Sequence, residues 1–325
     1  MLPLIEIQGA IEQLPIRDIS ELESYIAQSL QRKRDQLALA KREDQIHASA
    51  CIHCQTGLIR PYGQTRKGIA RFKCRNAKCG KTFTATKGTA FYRLRKQNLW
   101  LRYISLMKQH IPLRDLIEYY GINLSLSTCH RWRHLFLSAT LTANPTDKLS
   151  GVIEVDETFF RTNYKGSRGW RRGMPPQNRA ARNRGGAGLR GLSREQVPVL
   201  TALDRTGAIF QEKLPDMRWP TIVNTFVAWI ESESVICSDQ HGAYKLAADQ
   251  SKCEHMTCGI TVGTNSRHLS IGRINAYHRD VENLINRKCY GVATRYLMNY
   301  FAWQRRIKIN PASFGSELFG EMLAP

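Results

Sequence analysis

Two sets of side chains in this sequence are spaced for metal chemistry, one soft and one hard. Cys51-Ile-His-Cys54 and Cys74-Arg-Asn-Ala-Lys-Cys79 form two knuckles with nineteen residues between them. That is zinc-ribbon spacing, in which four thiolates close a tetrahedron around zinc. Because protein sulfur fills all four positions, none is left open for catalysis. The metal is therefore expected to be structural, supplying folding energy that so small a unit cannot draw from a core. Gly80 follows the last Cys, where the chain must turn tightly. Cys253 and Cys258, with His255 between them, offer only three ligands at awkward spacing and read as ordinary buried residues.

The hard set is carboxylate. Gly151 to Phe160 alternates as a strand does, so Glu154 and Asp156 share a face and Glu157 looks away. A second apolar strand, Gln196 to Leu203, ends at the turn Asp204-Arg-Thr-Gly, and another begins at Ala208. A helix is predicted from Trp219 to Ile230, followed by the short strand Ser234-Val-Ile-Cys-Ser-Asp239. Asp156 and Asp239, brought together in one sheet, would give magnesium the hard oxygen ligands it needs. A two-metal site could stabilise both the attacking and the leaving oxygen at phosphorus. On a helix running from about Ile274 to Arg287, Asn275, His278 and Glu282 face roughly one way.

The elements that must position these groups carry an unusual charge. Hydrophobic residues make up 42% and charged residues 23% of the 325, ordinary globular values that exclude a collagen-like, coiled-coil or disordered chain. The net charge, however, is +21, which points to a polyanionic partner. Residues 51–150 hold 18 basic against 3 acidic side chains and 151–200 hold 10 against 4, whereas 1–50 (6 against 8) and 201–325 (14 against 12) are nearly balanced. So uneven a partition implies a dedicated binding region, favouring DNA or RNA. No apolar run approaches the roughly 18 residues of a membrane span, and no signal-like N-terminus is present, so a cytoplasmic protein is expected.

Within that basic region Arg66, Lys67 and Arg71, interleaved with Tyr62, Phe72 and Phe83, suit phosphate contact. Helical spacing runs from Gln97 until Pro112. Leu113 to Tyr120 then reads as a short helix, Gly121-Ile-Asn as its turn, and Ser125 to Ala139 as a longer helix carrying His130, Arg131, Arg133 and His134. Helix, glycine turn and basic helix make a helix-turn-helix pattern, although a helical linker under a larger domain would read similarly. No acidic residue lies between Glu157 and Glu195, a stretch that includes Arg168, Arg171 and Arg172. It either becomes ordered on a polyanion or serves as a disordered spacer. Residues 18–47, with Leu22, Ile26 and Leu30 on a polar background, are expected to form an amphipathic helix that packs on the chain or self-associates.

Taken together these blocks resemble insertion-sequence transposases of the DDE superfamily, in the zinc-ribbon subgroup whose third catalytic position is Asn. The likeness runs from about Cys51 to Arg306. Besides the two knuckles it rests on Val155-Asp156-Glu157-Thr158, Arg190 to Leu200, Cys237-Ser-Asp239, Ile274-Asn-Ala-Tyr-His278 and Gly291 to Leu297. The resemblance implies an α/β fold with an RNase-H-like (retroviral-integrase-like) catalytic core behind a zinc ribbon and a helix-turn-helix. Asp156 and Asp239 would bind magnesium or manganese, and Asn275 would take the third position. Seven residues after that Asn the subgroup commonly has Lys, but here Glu282 either restores a third carboxylate or is merely tolerated.

The organisation expected is an N-terminal helical arm at 1–48, a zinc ribbon at 49–92 and a helix-turn-helix region at 93–145. A catalytic domain occupies 146–310, with a basic insertion at 161–194, and a tail spans 311–325. The function implied is a bacterial, nucleoid-associated enzyme that binds terminal inverted repeats as double-stranded DNA, cleaves them and transfers strands to target DNA. It would act as a homo-oligomer, because two ends must be held together, and without a membrane partner. A domesticated, non-catalytic DNA-binding regulator and a structure-selective nuclease of the same core are the rivals.

Overall fold

The computed structural model describes residues 4–19, scattered positions from 21 to 44, and residues 50–323 except 67, 97–98, 143–147, 167–195, 240 and 259–269. Most of the expected 18–47 helix and the basic stretch 167–195 lie outside the described residues. The chain forms two units, Met1–Gln109 with Ala312–Pro325, and His110–Pro311.

The first unit begins with helix α1 (Leu4–Glu12) and contains three antiparallel strands, β1 (Ile59–Gln64), β2 (Ala70–Cys74) and β3 (Thr82–Thr84), in that order. Strand alternation in β2 buries Phe72 and Cys74 and leaves Arg71 and Lys73 partly exposed. Phe72 pairs with Phe83 across the sheet, ring centroids 5.8 Å apart. Helix α2 (Trp100–Met107) packs beside the C-terminal helix Phe314–Leu323. Phe91 stacks on Trp100 at 4.3 Å and meets Phe319 at 4.8 Å, and the Ala90 N–H donates to the Met322 carbonyl at 3.0 Å. Residues after Ala312 thus complete this unit.

The second unit opens with α3 (Leu113–Glu118) and α4 (Leu126–Thr142). Gly121, at φ +62°, makes the left-handed turn between them, and the Ser125 hydroxyl accepts the Thr128 N–H at 3.3 Å to cap α4. Five strands come next: β4 (Val152–Arg161), β5 (Gln196–Asp204), β6 (Ile209–Lys213), β7 (Val235–Ser238) and β8 (Glu254–Thr257). Their order is β6-β5-β4-β7-β8. The first three are antiparallel, and β7 and β8 run parallel to β4. This mixed sheet is consistent with an RNase-H-like transposase domain. Pro198 is tolerated inside β5 because it lies where the β6 ladder ends: its carbonyl accepts the Leu214 N–H at 3.0 Å, and its missing N–H leaves out only the last, reciprocal bond.

Helices cover both faces. Helices α5 (Trp219–Phe226) and α6 (Gly242–Ser251) pack on one, where Ile153, Val155, Leu200 and Ala202 meet Ile222, Phe226, Tyr244 and Ala247. On the other lie α7 (Gly272–Glu282) and α8 (Leu297–Ile309), with α4 against α8. There Phe160 meets Phe301 at 5.4 Å and Gln211 Nε2 donates to the Tyr277 hydroxyl at 2.7 Å. Helix α5 is shorter than the expected 219–230. A 3-10 turn, Val227–Trp229, ends it so that Ile230 can bridge Leu149 in parallel. Helix α7 also ends early, at Glu282, and a π-helical turn, Asn283–Lys288, replaces its last residues. Among the described residues no helix is long and apolar enough to cross a membrane.

Two histidines of this unit are held neutral. Burial, with Arg133 nearby, pushes His110 down to about 4 where its ring meets Trp303 edge-on. His134, also through burial first, is lowered to about 4. The unfolded chain takes up these protons first, so their contribution to stability is full above about pH 6.5 and is lost as pH falls towards 4. The melting temperature should therefore drop over that window, and His110→Gln should flatten the drop; an unaltered pH profile would count against the assignment.

Candidate active site

Strand register directs the two predicted aspartates to the same end of the β4·β7 pair. In the parallel pair β4·β7, Val152, Ile153 and Glu154 stand beside Val235, Ile236 and Cys237. The pairing ends there, and the same offset carried two residues further would set Asp156 level with Asp239, just past the end of β7. Both carboxylates also act on one neighbour, Glu157. Its pKa is pushed up to about 7, first by burial and then by Asp156 and Asp239, with the nearby Tyr244 hydroxyl pulling the other way.

Helix α7 lies along β4 on the Asp156 face. Glu154 Oε2 accepts the N–H groups of Arg273 at 2.9 Å and Ile274 at 3.1 Å. One turn on, His278 Nδ1 lies 3.6 Å from Asp156 Oδ2, and a further turn on Thr158 Oγ1 donates to Glu282 Oε1 at 3.4 Å. Two strand residues advance about 6.6 Å and four helix residues about 6.0 Å, so the two elements stay in step. Asn275 is exposed in the first turn of this helix, on the face shared with His278 and Glu282.

Four carboxylates around the sheet, Glu154, Asp204, Asp156 and Asp239, fall into two groups. Glu154 is 1% exposed, and besides capping α7 it takes a salt bridge from Arg205 at 3.0 Å. Asp204 is equally buried. Its Oδ1 accepts from Thr206, Gly207 and Ala208, and its Oδ2 from the Ser150 N–H. Asp156 keeps 20% of its side chain exposed, and Asp239 is exposed with Oδ1 accepting the His241 N–H at 3.0 Å. Open, hard oxygens of this kind fit a divalent cation, whereas the occupied pair does not. The sequence placed His278 on the right face but gave it no task, and it did not reveal that Glu154 anchors the helix.

The four sequence-predicted cysteines converge in the first unit. The ligand atoms of Cys51, Cys54, Cys74 and Cys79 lie within 4.8 Å of one another, and among the described residues no other group of three or more His, Cys, Asp or Glu does so. Cys51 and Cys79 sulfurs are 4.0 Å apart and those of Cys54 and Cys74 3.6 Å. Sulfurs at tetrahedral corners 2.3 Å from zinc would be about 3.8 Å apart, so the cluster could hold such an ion. Each knuckle turns on a left-handed residue, Gln55 at φ +56° and Gly80 at +54°. Cys253 and Cys258 instead point their thiols at backbone carbonyls.

The predicted phosphate contacts divide. Arg66 is exposed at the β1–β2 turn, and Arg71, partly exposed on β2, lies over the Tyr62 ring at 5.6 Å. Arg131 is exposed on α4, but Arg133 is only 3% exposed. Its guanidinium donates to the Ile111 carbonyl at 2.6 Å and covers Trp303 at 5.3 Å, so it is not free for DNA. Two residues apart on a helix, Arg131 and Arg133 cannot share a face. Lys67, Arg168, Arg171 and Arg172 lie outside the described residues.

Residues 148–304 match the family of ISXO2-like transposase domains. Among solved structures the chain is similar to one chain of the "CryoEM structure of simian T-cell lymphotropic virus intasome in complex with PP2A regulatory subunit B56 gamma". Identity there is 8%, over 62% of this chain and 65% of that one, with a TM-score of 0.29. That likeness is too distant to bear on function. No curated protein matches.

Two outcomes test the geometry. Glu154→Ala leaves two helix N–H groups and Arg205 without their acceptor, so urea unfolding should show a loss of about 2–3 kcal/mol; a loss below ~0.5 kcal/mol would argue against the anchor. Cys74→Ser, or chelation of bound metal, should abolish hydrogen-exchange protection in β1–β3 while β4 and β5 keep theirs, and retained protection would show that no metal holds the sheet.

Proposed function

We propose, from the match of residues 148–304 to the ISXO2-like transposase domain, that this chain is an insertion-sequence transposase of the DDE superfamily that binds the terminal inverted repeats of its element, cleaves them and joins them to target DNA. The observation that supports the reading is the β4·β7 register, whose offset, extended two residues, would bring Asp156 level with Asp239, while Glu154 and Asp204 are engaged by donors of their own. Asp156 and Asp239 hold the divalent cations. Magnesium or manganese bound there would supply charge stabilisation at the scissile phosphate and activation of the attacking hydroxyl. Cleavage leaves a 3′-hydroxyl that serves as the nucleophile of strand transfer, with no covalent protein intermediate.

The remaining residues orient these groups. His278 buttresses Asp156 from the helix side, and Asn275 takes the third position of the superfamily. Glu282 is anchored by Thr158, two strand residues or about 6.6 Å beyond Asp156. We therefore assign it to the local negative field rather than to coordination. Zinc in the four-cysteine cluster is structural. The zinc ribbon, through Arg66, Lys67 and Arg71, and the helix-turn-helix of α3 and α4, through Arg131, grip the repeat ends, aided by Arg168, Arg171 and Arg172. Two or more copies act together on bacterial DNA, one for each end held.

With labelled repeat ends and magnesium, Asp156→Ala and Asp239→Ala should each lower cleavage at least ~100-fold while leaving end binding intact. Glu282→Gln should cleave within about threefold of the parent. A mutant of either aspartate that cuts at parental rate removes it from the mechanism, and a Glu282→Gln protein as inactive as Asp156→Ala makes Glu282 a ligand.

A further inference from the structure

Off the C-terminal end of β4, in the second unit, lies a cavity of about 500 Å³, a size common to small-ligand sites. Its walls are the starts of α3 and α4 and the turn between α7 and α8, with Lys165 beside them. The strand links it to the carboxylate site: five residues separate Asp156 from Arg161, about 17 Å. Beyond that, Asn163 is tied to Thr294 by two hydrogen bonds, of 2.8 and 2.9 Å.

The lining combines charge with a cluster of mutually tilted rings. Arg114, Lys165, Lys288 and Arg295 lie along it with the buried Arg133, against one carboxylate, Asp115. The His130 and His134 rings are 4.4 Å apart, His134 and Tyr296 are 4.1 Å apart, and the Arg295 guanidinium covers Tyr296 at 4.6 Å. Burial, then His130, Arg133 and Arg295, keep His134 neutral at physiological pH, so it offers a π face rather than a charge. At the rim Tyr290 is 75% exposed and held at φ +52°, a costly conformation for an aromatic residue. Lys165 Nζ fastens that turn by donating to the carbonyls of Tyr290 at 3.2 Å and Gly291 at 3.4 Å. Packing does not account for a large ring kept in water at such a cost.

We propose that this cavity takes one unpaired nucleotide of the DNA, its base stacked against Tyr290 and the His134–Tyr296 rings and its phosphates held by Arg295, Lys288 and Arg114. A paired base hides its π face, so only an unpaired one can use the rings. A blunt duplex would meet the cations alone. The transposase reading enters only in naming DNA as the source of the nucleotide.

The test compares a blunt duplex with the same duplex carrying a single-stranded overhang that contains 2-aminopurine, bound by the full chain without added magnesium. Tyr290→Ala and Arg295→Ala should weaken overhang binding about 5- to 100-fold and blunt binding less than about twofold, and Tyr290→Ala should lift the fluorescence quenching that stacking causes. Tyr290→Trp, which keeps a stacking face, should bind like the parent. Equal losses on both DNAs, or none, overturn the proposal, as does dAMP competing away the overhang at micromolar concentration, which would make a free nucleotide the occupant. Cleavage is read separately once magnesium is added: its absence with the overhang preference intact would sink the transposase reading and leave the pocket standing.

Discussion

A single buried carboxylate sets the geometry of the second unit. Glu154 projects from β4 into the N-terminus of α7 and satisfies two amides that nothing in that helix can satisfy, since its own N-cap residue, Ile271, has no side-chain acceptor. An anion at a helix N-terminus also meets the positive end of the macrodipole, a term of up to ~2 kcal/mol in partly buried settings. Once that end is pinned, the near match between strand and helix rise fixes where the later side chains of α7 land on β4. His278 arrives at Asp156 and Glu282 at Thr158 with no further adjustment.

The same economy separates structural acids from available ones. Glu154 and Asp204 are surrounded by donors and hold the fold, Asp204 by closing the turn between β5 and β6. Asp156, two residues along β4 from Glu154, keeps 20% of its side chain exposed beside His278, and Asp239 is exposed. Glu157, on the other face beside Tyr244, feels both of them and is driven towards its neutral form. Negative charge thus accumulates on one side of β4 and is suppressed on the other.

Alternation within β4 was legible from the sequence because it comes from the pleat alone, so the shared face of Glu154 and Asp156 could be read directly. The pairing of the four cysteines was legible for a similar reason, since knuckle spacing is local. What could not be read was anything fixed by partners far along the chain. The acceptor for the α7 amides lies 119 residues away from Arg273, and the Arg133 guanidinium is taken by a carbonyl 22 residues back. A run of basic residues on α4 looked uniform in one dimension, but the helix sends Arg131 to solvent and Arg133 into the interior. The early end of α5 was likewise set by a tertiary bond, the Leu149–Ile230 bridge.

The helix Phe314–Leu323 folds back onto the unit that carries the cysteine cluster, through Phe319 and Met322. The second unit is therefore an insertion between two pieces of the first. On a ribosome the inserted unit has all its residues available earlier, while the cysteine-bearing unit must wait for those last turns before its own hydrophobic contacts are complete. Order of synthesis thus lets the unit built on the five-stranded sheet mature ahead of the unit that holds the cysteine cluster.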